Sequence, residues 1–414
     1  MIQQISDHQL RLLRCRANQL QTSDDPIPNN ALQVVQSVFA VQAQELPAAL
    51  LSLRARSRGL TALFRDHRSR LQERGWDPRS RLQERGREYR SRLQERGRGL
   101  TAGGIEQVRL EERTLVWTWS LRGTLHLLAV EDACWLLPLL APGLISSHQT
   151  RYRQLGWDEE NSRQGLRLLE NALTEEPELS RLQIAALLQA QHLPYAGQAT
   201  VHLLYRAALE GTLCTGALRG GKPTYVSFTR WAGGFRPVPV DEALSRLALR
   251  YLAAYAPARP ADLASWSGLK AAQAQRAFEL VADRLVQVEY GGQVGWMLES
   301  QESWLDEAFP SQPLVRLLPR FDTFLMGYAS RVFMVAPEHA RRINAGGGIL
   351  HPVLLVDGQA LGTWNMQRKA KLLKISLSPF EEMPASLLPF IEREAQDLMR
   401  FLELDEQTQL EIAW

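Results

Sequence analysis

The apolar residues of this chain have a helix-like spacing followed by a strand-like spacing, and this order occurs three times along the sequence. Spacings of three and four residues predict amphipathic helices, whereas apolar–polar alternation predicts strands that bury one face. In each repeat, helical segments precede two strands joined by a Gly-containing turn. The first repeat has helical segments within residues 1–53, and its strands are Leu115–Leu121 and Thr124–Val130, joined by Arg122-Gly123.

The second and third repeats have the same order. Helices followed by a hairpin are typical of a winged helix, a helix-turn-helix with a β-wing that commonly docks on DNA. The predicted segments are the helices Arg163–Leu173, Arg181–Gln189 and Val201–Leu209 with strands Thr212–Leu218 and Thr224–Phe228, then the helices Asp241–Tyr255, Ala261–Trp266 and Ala271–Val281 with strands Leu285–Tyr290 and Gln293–Leu298.

After about residue 300 the pattern indicates short strands and one late helix near Pro384–Leu402, which is typical of a small α+β domain. The predicted fold class is therefore mainly α with β-wings (α+β), with three tandem winged-helix units and a C-terminal α+β cap. The predicted boundaries are residues 1–135, 158–230 and 240–300 for the units and 301–414 for the cap.

An eleven-residue repeat interrupts the first unit. The sequence Arg68–Gly75 recurs at Arg79–Gly86 and at Arg90–Gly97. Residues 63–102 contain twelve arginines and six acidic residues, although the net charge of the whole chain is only +3. Glycine in every copy argues against one continuous helix. The block is either a basic arm for nucleic acid or a tolerated insertion. We favour the insertion, because surface loops accept added length at little free-energy cost.

The composition of the chain argues against membrane, secreted and metal-binding proteins. No apolar run reaches the length of a transmembrane helix, and the polar start is not a signal peptide. The three cysteines are far apart, and no cluster has the spacing of metal ligands. We therefore expect a cytoplasmic protein without metal, cofactor or membrane contact.

Two uncharged amides, Gln42 and Gln44, stand at the predicted end of a helix. Pro47 disfavours the helical conformation at Leu46, so we expect the helix to stop before it. Side chains two residues apart can converge on one site where a helix end frays. The alternative is a pair of solvated glutamines, which is the commoner case for so short a motif.

Four longer segments resemble, in chain order, the tandem winged-helix proteins of the AlkZ/YcaQ type. They are Arg122–Leu127, Arg250–Ala258, Leu318–Tyr328 and Asp357–Trp364. The members of that family with established activity are bacterial DNA glycosylases that unhook interstrand cross-links between alkylated guanines. Their signature is Gln, an apolar residue, then Gln or Asp. Gln42-Ala43-Gln44 matches it, so the resemblance implies that Gln42 and Gln44 are catalytic; the 63–102 block is a departure from the family.

Amides suit the chemistry that this resemblance implies. Guanine alkylated at N7 is already cationic, so it leaves the sugar as a neutral base without being protonated by the enzyme. The protein must instead hold a water against the anomeric carbon and stabilise a transition state that resembles an oxocarbenium ion. A carboxamide can accept a hydrogen bond from that water, but it is not an effective general base. Glu45 is a weaker candidate for a base, since it is expected to be a solvated carboxylate.

Lysine usage bears on the reaction product. A bifunctional glycosylase needs an amine, usually lysine, to form a Schiff base with the sugar. All five lysines lie at or after Lys222, so the first unit supplies none. We therefore expect a monofunctional hydrolase that leaves an abasic site without cutting the strand.

Four further residues are candidates for DNA binding. Arg122 could hold a phosphate at its turn, since a guanidinium forks onto phosphate oxygens. His126 could face a phosphate or the lesion, or be a structural histidine. Arg219 and Lys222 flank the glycine-rich tip of the second wing. The expected partner is double-stranded DNA containing alkylated guanine, bound by a monomer that is nucleoid-associated when on DNA.

Two other function classes stay open. Winged helices also occur in regulators and architectural proteins that bind DNA without catalysis, and in protein-interaction scaffolds. The Gln42/Gln44 pair favours the enzyme, whereas a scaffold would lack salt-dependent DNA binding.

Overall fold

A computed structural model describes residues 2–20, 30–57, 100–308, 310–344, 346, 348–405 and 407–414. The eleven-residue repeats predicted to form a surface insertion lie outside these residues. The described chain combines helices with three β-sheets. The predicted α+β class is confirmed.

The described part of the first unit contains four α-helices and a hairpin. Side-chain oxygens of Ser6, Asn30 and Thr101 each accept a backbone N–H of the first helical turn, which fixes where three helices begin. Pro47 lies in the first turn of the remaining helix, where its missing N–H costs no hydrogen bond. The prediction that Pro47 keeps Leu46 out of a helix is therefore wrong. The elements are β1 (Gln3–Gln4), α1 (Asp7–Ala17), α2 (Ala31–Val38), β2 (Val41–Gln42), α3 (Leu46–Arg54), α4 (Ala102–Gln107), β3 (Leu115–Trp119) and β4 (Leu125–Ala129).

A helix that the sequence pattern did not predict, α5 (Val130–Ser147), links the first two units. It contains Pro138 and Pro142, residues that normally interrupt helices. The first two hairpins join in one six-stranded sheet through the pair Trp117–Thr215. Its strand order is β2-β4-β3-β6-β7-β5, where β5 is Leu179–Ser180, β6 is Leu213–Arg219 and β7 is Lys222–Ser227. The elements after α5 are α6 (Gln149–Gln154), α7 (Glu159–Glu175), β5 (Leu179–Ser180), α8 (Arg181–Ala190), α9 (Ala199–Leu209), β6 (Leu213–Arg219), β7 (Lys222–Ser227) and α10 (Phe228–Ala232).

The third unit matches its predicted order. Its hairpin turns at Gly291-Gly292, where both residues have the positive φ that such a turn requires. The first strand of the chain, β1, adds to this hairpin in parallel beside β8. The elements are α11 (Val240–Tyr255), α12 (Pro260–Ser267), α13 (Ala271–Glu279), β8 (Leu285–Tyr290) and β9 (Gln293–Leu298).

The C-terminal part is built on a five-stranded sheet with the order β10-β11-β12-β13-β14. Its last strand pairs in parallel with β13, and α16 is tied to the sheet where Glu394 accepts the backbone N–H of Leu317. The elements are β10 (Val315–Leu318), α14 (Thr323–Met326), α15 (Ala340–Ile343), β11 (Val353–Val356), β12 (Gln359–Lys369), β13 (Leu372–Pro379), α16 (Leu388–Phe401) and β14 (Gln409–Ala413).

A fully buried ion pair connects the first unit to the C-terminal part. Arg56, just after α3, forms two hydrogen bonds with Asp322, of 2.7 and 2.9 Å, and both side chains are entirely buried. The Ser52 hydroxyl and the Phe324 N–H donate to the same carboxylate. Both carboxylate oxygens of Asp322 accept hydrogen bonds, so its buried negative charge is compensated. The ion pair therefore fixes the position of the first unit against the C-terminal part.

Candidate active site

The chain reaches the two amides through a backbone reversal at the end of α2. Phe39 has φ +69°, which is strained for a bulky residue, and it turns the chain from α2 into β2. Its ring stacks between Trp135 and Trp266, with centroids 6.0 and 5.5 Å away. Gln42 is therefore on a short strand, and the prediction that it stands at a helix end is wrong. The sequence pattern predicts a helix that continues until just before Leu46, whereas α2 ends at Val38.

The strand β2 pairs with β4 in a register that places Gln42 beside His126. The partners are Val41–Leu127 and Gln42–His126, and the Ala43 N–H donates to Leu125 at 2.7 Å. Hydrogen-bonded and non-hydrogen-bonded pairs alternate in an antiparallel ladder, so Gln42 and His126 form a non-hydrogen-bonded pair. Side chains in such pairs share a face and lie closest together.

The Gln42 amide is held in one orientation. The side chain is 8% exposed, and its Oε1 accepts a hydrogen bond of 3.0 Å from Nη2 of Arg122. Because a guanidinium can only donate, this contact identifies which end of the amide is the oxygen. The Nε2 end has no acceptor among the described residues, so it is available to a ligand or water.

The side chain of Gln44 supplies an acceptor for a backbone N–H of β4 that has no backbone partner on β2. The Ala43 carbonyl accepts the indole N–H of Trp117 at 3.0 Å, and the Leu125 N–H does not donate to it. Instead, Gln44 Oε1 accepts the Leu125 N–H at 3.3 Å. The Gln44 side chain is exposed, unlike that of Gln42. Both amides thus contact the short segment 122–125: the exposed Gln44 contacts Leu125, and the buried Gln42 contacts Arg122.

Arg122 lies at the turn between β3 and β4 and links the site to the third unit. Its φ is +54°, and its second guanidinium nitrogen donates to the carbonyl of Trp266 at the end of α12. Gly268 comes so close that a Cβ there would lie 3.3 Å from the Arg122 backbone. Burial lowers the pKa of Arg122, but an arginine stays charged. The guanidinium is therefore engaged by protein, and its predicted contact with a phosphate stays a prediction.

His126 is a buried, neutral histidine. Its ring is 2% exposed, and Nδ1 lies 3.0 Å from the carbonyl oxygen of Thr124. Burial, reinforced by the Arg122 charge, lowers its pKa to about 3. Since a carbonyl oxygen can only accept, Nδ1 carries the proton of the neutral ring and Nε2 is unprotonated.

The row across the sheet continues to Thr118. His126 pairs with Thr118 on its other side, so Gln42, His126 and Thr118 occupy neighbouring positions on one face. The Thr118 hydroxyl is buried without a hydrogen-bond partner among the described residues. An amide, an imidazole and a hydroxyl thus occupy three adjacent positions across β2, β4 and β3.

Glu45 is engaged by a residue that the motif analysis did not assign to the site. Its carboxylate lies 2.9 Å from Nη1 of Arg320, with side-chain exposures of 46% and 35%. Arg320 belongs to the Leu318–Tyr328 segment, which was singled out only for its resemblance. Glu45 is therefore paired with a cation at the edge of the site.

The wing residues Arg219 and Lys222 lie apart from the amides. Both are exposed at the tip of the second hairpin, and Arg219 pairs with Glu178 at 3.0 Å. Neither contacts Gln42 or Gln44. Their prediction as DNA-binding residues is untested by this arrangement.

Within the described ranges, one group of potential metal ligands comes together: Glu338, His339 and Glu381, all far along the chain in the C-terminal part and largely exposed. No ligand set of this kind includes the two amides. None of the helices in the described parts of the chain combines the length and apolar character needed to cross a bilayer.

Comparison with known proteins places the chain near one group. Residues 81–401 match a family described as DNA glycosylase AlkZ-like. A curated protein of Streptomyces sahachiroi, named interstrand DNA cross-link repair glycosylase, is 27% identical over 303 residues, which cover 69% of this chain and 79% of that protein. The solved structure of Streptomyces sahachiroi DNA glycosylase AlkZ aligns over 99% of each chain with a TM-score of 0.71 and 22% identity.

These matches carry different weight. At 22% identity the structural match establishes the fold alone, and it extends over Gln42 and Gln44 because it spans nearly the whole chain. The family match spans well over half the chain but begins at residue 81, after both amides. The family relationship is thus independent of the amide motif, whose role must be argued from the site itself.

Proposed function

The chain belongs to the AlkZ-like DNA glycosylase family, and we propose that it hydrolyses the N-glycosidic bond of cationic N7-alkylguanine in duplex DNA. Gln42 and Gln44 position the water that attacks the sugar. The observation that carries the proposal is the fixed orientation of Gln42, whose oxygen is held by Arg122 at 3.0 Å.

The geometry of Gln42 suits a water-holding role. A carbonyl oxygen has two lone pairs, and Arg122 uses one, so the second can accept a hydrogen from water in a defined direction. The free Nε2–H groups can donate to an oxygen of the sugar or phosphate. A fixed amide needs no reorganisation when the reaction occurs, which is how positioning lowers an activation barrier.

The polar groups of the site support the proposed substrate class. Within the described residues, its polar groups are two amides, a guanidinium, a neutral imidazole and a hydroxyl, with Glu45 tied to Arg320. None of these protonates a leaving base readily at neutral pH. Such a site favours a base that already carries positive charge, as N7-alkylguanine does, and discriminates against undamaged purines.

We extend the proposal to interstrand cross-links. A cross-linked base remains tethered to the opposite strand, so it cannot be swung into a closed pocket. Gln44 and Glu45 are exposed at the edge of the site, which supports an open approach from solvent. The similar Streptomyces sahachiroi protein is named for cross-link repair, in keeping with this proposal.

The product is an intact strand with an abasic site. None of the five side chains that form the site has an amine, and lysines are absent before Lys222, so a Schiff base with the sugar is not expected there. We propose that the protein acts as a monomer on duplex DNA in the cytoplasm, and that it is associated with the nucleoid when bound.

The direct test is release of base from two duplexes, one with N7-methylguanine and one with a nitrogen-mustard cross-link between N7 atoms. Release from both supports the proposal. Salt-dependent DNA binding without release from either duplex would instead favour a winged-helix regulator or architectural protein. Absence of any salt-dependent DNA binding would favour an interaction scaffold.

A further inference from the structure

The acceptors of the site are fewer than its polar residues suggest. Both amide oxygens already accept a protein donor, Gln42 from Arg122 and Gln44 from the Leu125 backbone. The free ends of the two amides are donors. A water attacking a sugar has two hydrogens to donate, and Gln42 Oε1 has one lone pair left beside the Arg122 contact, so this amide by itself orients the water incompletely.

His126 supplies an acceptor beside them. Its Nδ1–H is directed at the Thr124 carbonyl, which leaves the lone pair of Nε2 without a donor among the described residues. The ring belongs to the non-hydrogen-bonded pair with Gln42, the arrangement in which facing side chains come closest. The Thr124 contact also locks the ring, so the direction of the lone pair is fixed.

We propose that His126 is a positioning residue whose Nε2 accepts a hydrogen bond from the water held by Gln42. The inference rests on the proposed function and adds a residue to it. The oxygen of the water bonds to the anomeric carbon as the bond from that carbon to the base breaks. The electron pair of the broken bond leaves with the alkylguanine, which becomes neutral, and the proton of the water passes to bulk solvent.

His126 does not keep that proton. Its ring is buried beside the Arg122 guanidinium, and both features disfavour a second positive charge. A weakly basic acceptor is enough here, because the water attacks a carbon that already has cationic character and loses its proton after the attack. The histidine therefore orients the water without acting as a general base.

Two substitutions of His126 distinguish the contribution of Nδ1 from that of Nε2. The amide of Asn reaches the position of Nδ1, so His126→Asn keeps a donor to Thr124 and removes the acceptor at Nε2. The longer Gln reaches the position of Nε2, so His126→Gln can restore the acceptor and loses the Thr124 contact. Single-turnover release of N7-methylguanine is measured for each, with melting temperature and DNA affinity in parallel.

We expect His126→Asn to slow release by about 30-fold or more and His126→Gln to stay within about fivefold of wild type, with DNA affinity unchanged in both. Equal rates for His126→Asn and wild type would overturn the inference. So would a greater loss in His126→Gln, which would assign His126 a structural role through Thr124.

The pH profile of the wild-type rate is an independent check that needs no variant. An acceptor that stays neutral predicts a level rate from pH 8 to pH 5. A fall with a midpoint near pH 6.5 would overturn the inference, since it would show that His126 gains a proton in the working range. If wild type releases no base at all, the proposed function itself fails; if wild type is active and either of these results contradicts the expectation, only the role of His126 fails.

Discussion

Arg122 donates from Nη2 to Oε1 of Gln42 at 3.0 Å while its other nitrogen donates to the Trp266 carbonyl. One side chain thus joins a candidate catalytic amide to the third unit. The contact makes the orientation of Gln42 depend on how the first and third units pack, and it occupies the guanidinium that the sequence assigns to a phosphate.

Arg122→Lys tests this relationship. Lysine keeps the charge but is a point donor and cannot span both acceptors. We expect DNA affinity to be kept and base release to slow by about 10- to 100-fold, because the amide loses its fixed direction. Single-turnover kinetics with saturating enzyme give the rate free of binding effects.

The salt dependence of DNA binding distinguishes two roles for Arg122, a contact with a DNA phosphate and the positioning of Gln42. Loss of one phosphate contact lowers the slope of log K against log salt by about one unit. We expect this change for Lys222→Ala at the exposed wing and none for Arg122→Ala. A reduced slope in Arg122→Ala would identify a phosphate contact and contradict the positioning role.

The buried neutral state of His126 predicts a pH-dependent stability. Its pKa is about 3 in the folded protein and about 6.5 when unfolded, so between these values only the unfolded chain binds the proton. The stabilisation is present above pH 6.5 and is lost as pH falls. At pH 5 wild type should lose about 2 kcal/mol relative to pH 7.5, beyond any loss in His126→Gln. Urea unfolding of both proteins at the two pH values measures this difference, and equal losses would refute it.

The Arg56–Asp322 pair predicts a large and specific stability effect. Asp322→Asn leaves the buried Arg56 charge uncompensated, so we expect the free energy of unfolding to fall by about 3–5 kcal/mol. Asp241→Asn is the matched control. It breaks an exposed 2.9 Å pair with Arg276 and should cost less than about 1 kcal/mol. Similar losses in the two variants would show that Asp322 does not hold the first unit to the C-terminal part.

The reaction product tests the monofunctional mechanism. Incubation with damaged duplex and borohydride should trap no covalent protein–DNA adduct, because the site has no amine to form a Schiff base. The strand should break only after treatment with alkali. Recovery of an adduct would contradict the monofunctional mechanism.

The sequence predicted the elements well where local periodicity is strong. The third hairpin, Leu285–Tyr290 and Gln293–Leu298, has the predicted bounds, since the Gly-Gly turn and the alternation agree. The helix Val130–Ser147 was not predicted because two prolines interrupt the signal, and burial of its apolar face outweighs their local cost. The joining of two wings into one sheet depends on contacts between distant residues, which no local pattern contains.

The sequence named candidate residues for the site but did not predict their geometry, and the roles of these residues stay predictions. The amide pair and its neighbours Arg122 and His126 were identified from motifs, and the structure brings them together. That Gln42 lies on a strand depends on the left-handed Phe39, held by two distant tryptophans. The tautomer of His126 depends on the contact of Nδ1 with the Thr124 carbonyl, and its neutral state depends on burial. Neither could be derived from spacing along the chain.

The central claim is that Gln42 contributes to chemistry more than to binding. The decisive measurement is single-turnover release of N7-methylguanine from duplex DNA by wild type and Gln42→Ala, with DNA affinity determined on the same samples. We expect release to slow by about 100-fold or more while affinity stays within about threefold of wild type. An unchanged rate, or a loss of affinity that accounts for the whole loss of rate, would contradict the account.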